Sequence, residues 1–279
     1  MNWQTANSKQ QTANSKPRTA NSKPRTASYK PQRPSFVTHC MITQQIVTIT
    51  FFRYQGLRRR WWAFGQMGLA PKALRAIQGL QFGKMLGSGS GNGFSVLPNL
   101  GVYGLLAVWD TEHDARHFFD THPLFKTYCT QSAEQWTLFM RAVMAHGQWD
   151  GVEPFRASGQ ADDEQPVGVL TRATIYPRHL WRFWKFVPPV SRSVEHREGL
   201  VFSVGVGELP LIQQATFSLW QSTRLMKAYA YQSRYHSEVV KKTRELGWYS
   251  EELFARFAPY AEEGSWQGLR PLQQARQLI

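Results

Sequence analysis

The stretch "ITFFRYQGLRRRWWAF" (49–64) can be laid on "VLTRATIYPRHLWRFW" (169–184) so that Arg53 meets Arg172, Trp62 meets Trp181 and Phe64 meets Phe183. Each begins as an apolar run that reads as a strand and continues as a Trp-rich amphipathic helix. In the second stretch Pro177 stands just inside the helix start, where its missing N–H costs nothing. Outward from this pair the matches keep their order. "GLQF" (79) meets "GLVF" (199), "LP" (97) meets "LP" (209), and "VWDT" (108) meets "LWQS" (219). "LFMR" (138) meets "LFAR" (253), and "GQWDG" (147) meets "GSWQG" (264). Ordered matches over about a hundred residues predict an internal duplication.

Within each half two more strands follow the first helix, then a long helix and a last strand. The long helices start after hydroxyl caps, Thr111 before "EHDARHFF" and Ser222 before "TRLMKAYAYQSRYHSEVVKKTREL". The order strand, helix, strand, strand, helix, strand is the split βαβ, ferredoxin-like unit, and each unit leaves one sheet face open. Two such units pairing their faces predict an α+β barrel of the dimeric type. The boundaries are a tail at 1–40, a first repeat at 41–151, a linker at 152–165 and a second repeat at 166–279.

The tail repeats every seven residues, "TANSKQQ", "TANSKPR", "TANSKPR", "TASYKPQ", and has no large apolar seam, so it reads as disordered. Two readings stay open for it: a basic arm for an acidic partner, or a low-complexity extension upstream of a start at Met41. It holds seven Lys or Arg and no acid, half of the net charge of +14, which leaves +7 on the rest. That remainder is weakly basic and lacks an RNA-binding motif, which argues against a nucleic-acid module. Cys40 and Cys129 make no Cys-x-x-Cys pair, which fits a reducing compartment, the cytoplasm by default. "NLGVYGLLAVW" (99–109) is about half the ~20 residues needed to cross a bilayer and reads as a buried strand.

Several stretches invite chemistry. "GSGSGNG" (87–93) lacks the third glycine and the Lys-Ser/Thr of phosphate loops, so it reads as a surface turn or a flap. His113 and His117 sit four apart without a third ligand and read as a solvated face. "RRRWWAF" (58–64) reads either as a core helix whose Trp and Phe face the sheet or as a lipid-interface segment. Arg53 and Arg172 lie in apolar runs, so each needs a carboxylate, Glu208 and Glu251 being candidates, or an anionic ligand.

The segments "VGVLTRATI", "GLVFSVGVGELPLIQQATFSLW" and "GWYSEELFARF", with "FFRYQGL", "WAFGQMGLA", "GSGSGNGF", "PNLGVYGLL" and "GQWDGVEPF", resemble the bacterial spheroidene monooxygenase family from Ile46 to Trp266. The resemblance implies an oxygenase that puts a keto group near the end of an acyclic carotenoid. It also implies O2, heme and a small ferredoxin-like electron donor. A heme-binding protein of the same barrel class without turnover is the alternative. A carotenoid substrate also suggests peripheral contact with a membrane.

The resemblance implies no residue set for the heme, so candidates come from the sequence. His236 falls on the stripe Leu225, Tyr229, Gln232, His236, Val239, Val240, Thr243 of the second long helix, which should face the sheet. It reads as a packed core histidine or as the axial ligand of heme iron; the implied need for one axial base favours the latter. His39, His113, His117, His122, His146, His179 and His196 are placed less well. Arg172 and Arg53 are the candidates for the heme propionates, heme lying between the second long helix and the sheet, in a cavity lined by the abundant aromatics.

Overall fold

In β1 (Ile46–Arg53) Val47, Ile49 and Phe51 alternate with Ile46, Thr48, Thr50 and Phe52, and all are buried. A strand turns successive side chains to opposite faces, so both faces of β1 are covered. Val47, Ile49 and Phe51 belong to one core, and Ile46 and Phe52 to another shared with helices. The two threonines survive burial because they are bonded. Thr48 Oγ1 accepts from Trp109 Nε1 at 2.9 Å, and Thr50 shares a hydrogen bond with Thr137 at 2.9 Å.

The computed structural model describes residues 44–89, 98–185, 197–232 and 246–277. After β1 come α1 (Leu57–Leu74), β2 (Leu80–Gly89), β3 (Pro98–Trp109), α2 (Glu112–Thr121), α3 (Pro123–Gln131) and β4 (Glu134–Gly147). The second half has β5 (Val167–Ile175), a 3-10 turn (Pro177–His179) running into helical residues 180–185, β6 (Leu200–Gly207), β7 (Gln213–Trp220), α4 (Thr223–Gln232), β8 (Tyr249–Gly264) and α5 (Pro271–Gln277). The strands close an antiparallel barrel in the order β1-β3-β2-β6-β7-β5-β8-β4. The α+β barrel is therefore present.

Registers recur between the halves. Trp109 ends β3 opposite Ile46 and Leu80, and Trp220 ends β7 opposite Val167 and Leu200. The registers shift between Leu80 and Phe82 and again between Leu200 and Phe202. The β4–β8 seam pairs Trp136 with Gly264 and Gly147 with Leu253. A two-fold relation there makes Trp136 the counterpart of Leu253 and shifts the "LFMR"/"LFAR" match by two residues.

Three other expectations change. Pro123 cannot continue the hydrogen-bonded ladder, so the first long helix is two, α2 capped by Thr111 and α3 opening at Pro123. The barrel interior is not an aromatic-lined cavity but is filled: Phe51, Trp136, Phe202 and Phe217 pack ring to ring inside it. On α1 Ala63, Ala70 and Leu74 are buried and Trp62 packs half-buried against Tyr54 and Tyr128, as a core helix would have it, while Trp61 and Phe64 are exposed. The tail, residues 90–97 of the glycine-rich loop, His39, His196 and His236 lie outside the described residues.

Candidate functional site

β2 meets β6 at two positions only, Gly87 opposite Gly207 and Ser88 opposite Val206. Its Leu80–Leu86 stretch therefore bonds to β3 on one side, and on the other a cleft of about 760 Å³ opens beneath α1. Phe64, Met67, Leu74, Phe82, Met85 and Leu209 give it apolar walls. Its size and lining suit a small-molecule site.

Charge converges at one end. Lys84 Nζ donates to Glu208 Oε1 at 2.7 Å and also bonds Asp150, and all three line the cleft. Burial disfavours the Lys84 ammonium, but its bonds to Asp150 and Glu208 outweigh that and hold its pKa above the ordinary value. Glu208 Oε2 accepts from Trp149 Nε1 at 2.7 Å. Behind them the Arg172 side chain is 1% exposed, bonded to Glu251, with Asp150 at 3.5 Å and its guanidinium 5.0 Å from the Trp149 ring centre. Arg53 pairs instead with Glu134 at 2.7 Å. Both candidate arginines thus face carboxylates, and of the two it is Arg172 that meets Glu208 and Glu251.

Tyr103 is also on the cleft wall. It is buried, and its hydroxyl has no hydrogen-bond partner among the described residues. Burial raises its pKa, so it remains a phenol able to donate. The Cys129 thiol, pushed up to about 11 by burial, is no thiolate at neutral pH. His113 and His117 stack on the surface of α2 with ring centres 6.2 Å apart, and no group of three metal-ligating side chains occurs among the described residues. No described helix is long and apolar enough to cross a membrane.

The sequence reading missed Lys84, Asp150 and Tyr103. Lys84 offered one signal, a lone cation in the strand "LQFGKMLGSG", but Asp150 is 66 residues away and only the fold joins them.

No family model matches the chain. Spheroidene monooxygenase of Rhodobacter capsulatus is 38% identical over 229 residues, 81% of this chain and 95% of that protein. Spheroidene monooxygenase of Cereibacter sphaeroides is 37% identical over 232 residues, covering 83% and 72%. Among solved structures, an aldoxime dehydratase in complex with butyraldoxime aligns with a TM-score of 0.54 at 10% identity, covering 80% of this chain and 83% of that one. At that identity the likeness is one of fold alone.

Proposed function

Since the chain belongs to the spheroidene monooxygenase family, whose members are oxidoreductases, we propose that it puts a keto group near the end of an acyclic carotenoid. O2 is the oxidant, and a ferredoxin-like protein the electron donor. Each insertion uses one oxygen atom of O2, the other leaving as water with two electrons from the donor. Two insertions at one methylene and loss of water give the ketone. The observation that carries the reading is the apolar cleft, whose walls suit a polyene and whose polar end suits the oxygenated terminus. There the Tyr103 phenol donates to the introduced oxygen, and Lys84, held by Asp150 and Glu208, fixes the shape of that end.

The two halves are read as ferredoxin-like repeats, 41–151 and 166–279, joined by the linker at 152–165. The matched Trp109 and Trp220 registers support this. So do the turns after β4 and β8, where Asp150 and Gln267 have φ of 55° and 54°.

Heme is part of the reading through the family resemblance. The cleft does not fit a histidine-ligated heme, because no imidazole among the described residues lines it. The proposed axial base is His236, outside the described residues. Arg172 and Arg53 would reach heme propionates only by giving up Glu251 and Glu134. The protein is read as cytoplasmic, taking its substrate from a lipid surface.

The test is to supply the purified full chain with O2, a reduced donor and an acyclic carotenoid. Oxygen uptake with a ketone product, identified by mass spectrometry, is expected. Heme binding without oxygen uptake would instead favour a heme-binding protein lacking turnover.

A further inference from the structure

α1 carries two apolar stripes, and the fold uses one. Ala63, Ala70 and Leu74 are buried against the barrel. Leu57, Trp61 and Phe64, recurring at four- and three-residue steps, form a second stripe and are 76%, 62% and 51% exposed. The rings of Trp61 and Phe64 meet edge to face with centres 5.9 Å apart. Gly68 and Pro71 extend this stripe along the helix, and with Phe64 they line the cleft. The exposed face thus runs into the cleft mouth, where Leu209 and Val152 are also exposed.

The charge around this stripe is of one sign. Arg58, Arg59, Arg60 and Lys72 are exposed on the same helix. Residues 41–109 hold seven Lys or Arg and no Asp or Glu, while residues 110–279 hold nineteen of each. The excess charge of the chain beyond the tail therefore belongs to the segment that carries α1.

We propose that this face of α1 docks on an anionic lipid bilayer. Leu57, Trp61 and Phe64 enter the boundary between headgroups and acyl chains, Arg58 and Lys72, which flank that stripe on the helix, meet the lipid phosphates, and the cleft opens toward the lipid. Aromatic and aliphatic side chains bordered by arginine are what such an interface takes. A second copy fits poorly, since two helices bearing only cations repel each other. The proposal deepens the reading above by giving an apolar substrate a dry route into the cleft, yet docking itself needs no carotenoid.

The experiment is flotation of the full chain with vesicles of phosphatidylcholine alone and of phosphatidylcholine mixed equally with phosphatidylglycerol, both free of carotenoid. The wild type should float with the mixed vesicles. Replacing Leu57 and Trp61 together by Ser should lower partitioning about tenfold, from the apolar area no longer buried. Arg58→Gln with Lys72→Gln should weaken binding to the mixed vesicles alone. Trp181→Ser, at the 84% exposed tryptophan of the other half, should change nothing. The tail is the same in every variant, so its charge cannot produce these differences. Wild-type binding by the Leu57/Trp61 variant would overturn the proposal, as would an equal loss from Trp181→Ser. So would a Leu57/Trp61 variant that loses self-association or donor binding while still floating. Turnover with detergent-dispersed carotenoid is a separate reading, so a failed catalytic assignment would leave the vesicle result standing.

Discussion

Arg172 and Glu251 are bonded across β5 and β8, and the same carboxylate accepts the Gly151 amide at 2.7 Å. One acid thus ties a buried cation of the second half to the turn that ends the first. Glu134 makes the reciprocal tie, holding Arg53 at 2.7 Å and accepting the Gly268 amide at 2.9 Å. The two ties differ in burial, since the Arg172 side chain is 1% exposed and that of Arg53 38%. Glu251→Gln should therefore cost about 2–3 kcal/mol, below the ~3–5 of a fully orphaned buried ion because Asp150 and Glu208 still face Arg172. Glu134→Gln should cost about 1 kcal/mol. In thermal unfolding these are drops of roughly 5–10 °C and about 3 °C. Equal drops would show that burial does not set the difference.

Acid should erase that difference. Burial pushes both carboxyls up, but for Glu251 the Gly151 amide and Arg172 outweigh it, and for Glu134 the Gly268 and Gln267 amides, Ser265 and Arg53 do so. Both end below the ordinary value of 4.5. A depressed folded pKa means that the unfolded chain binds more protons, so the contribution is full above about pH 4.5 and lost as pH falls through the folded values. The gap in Tm between wild type and Glu251→Gln should hold down to about pH 5 and then shrink toward about pH 3. A gap that stays constant would show that the carboxylate charge is not its source.

The fold was legible where a periodicity or a capping residue carried it. β1 and β5, the caps Thr111 and Ser222, and the paired Trp109 and Trp220 could all be read because each is a local or repeated signal. Pro123 was as visible, and its break between α2 and α3 follows from the missing N–H. The exposure of Trp61 and Phe64 could not be read, because α1 has two apolar stripes and only the barrel selects which is buried. The cleft was hidden for a similar reason. It exists because β2 and β6 pair at only two positions, a consequence of closing the barrel that no segment encodes alone. Lys84, Asp150, Glu208 and Arg172 come from four separate stretches and meet only there.

His236 gives a prediction from the sequence alone. If it supplies the axial base, His236→Ala should purify folded, lack the Soret band and regain part of it with added imidazole. Wild-type heme absorption in that variant would assign His236 to packing.

Tyr103 separates a binding role from a structural one. A buried hydroxyl without a partner costs about 1–3 kcal/mol, and that of Tyr103 has none among the described residues. Tyr103→Phe removes that cost, so Tm should hold or rise by a few degrees, on the order of 2–4 °C per kcal/mol. If the phenol donates to the oxygen at the chain end, kcat/KM should fall roughly five- to tenfold, the value of one neutral hydrogen bond. Lys84→Met differs in sign, because it removes the cation that hydrogen-bonds Asp150 and Glu208 and leaves them only the more distant Arg172. It should lower Tm as well as turnover. A Tyr103→Phe protein that melts lower and turns over normally would mean that the hydroxyl has a structural partner and that the cleft holds its ligand by shape alone.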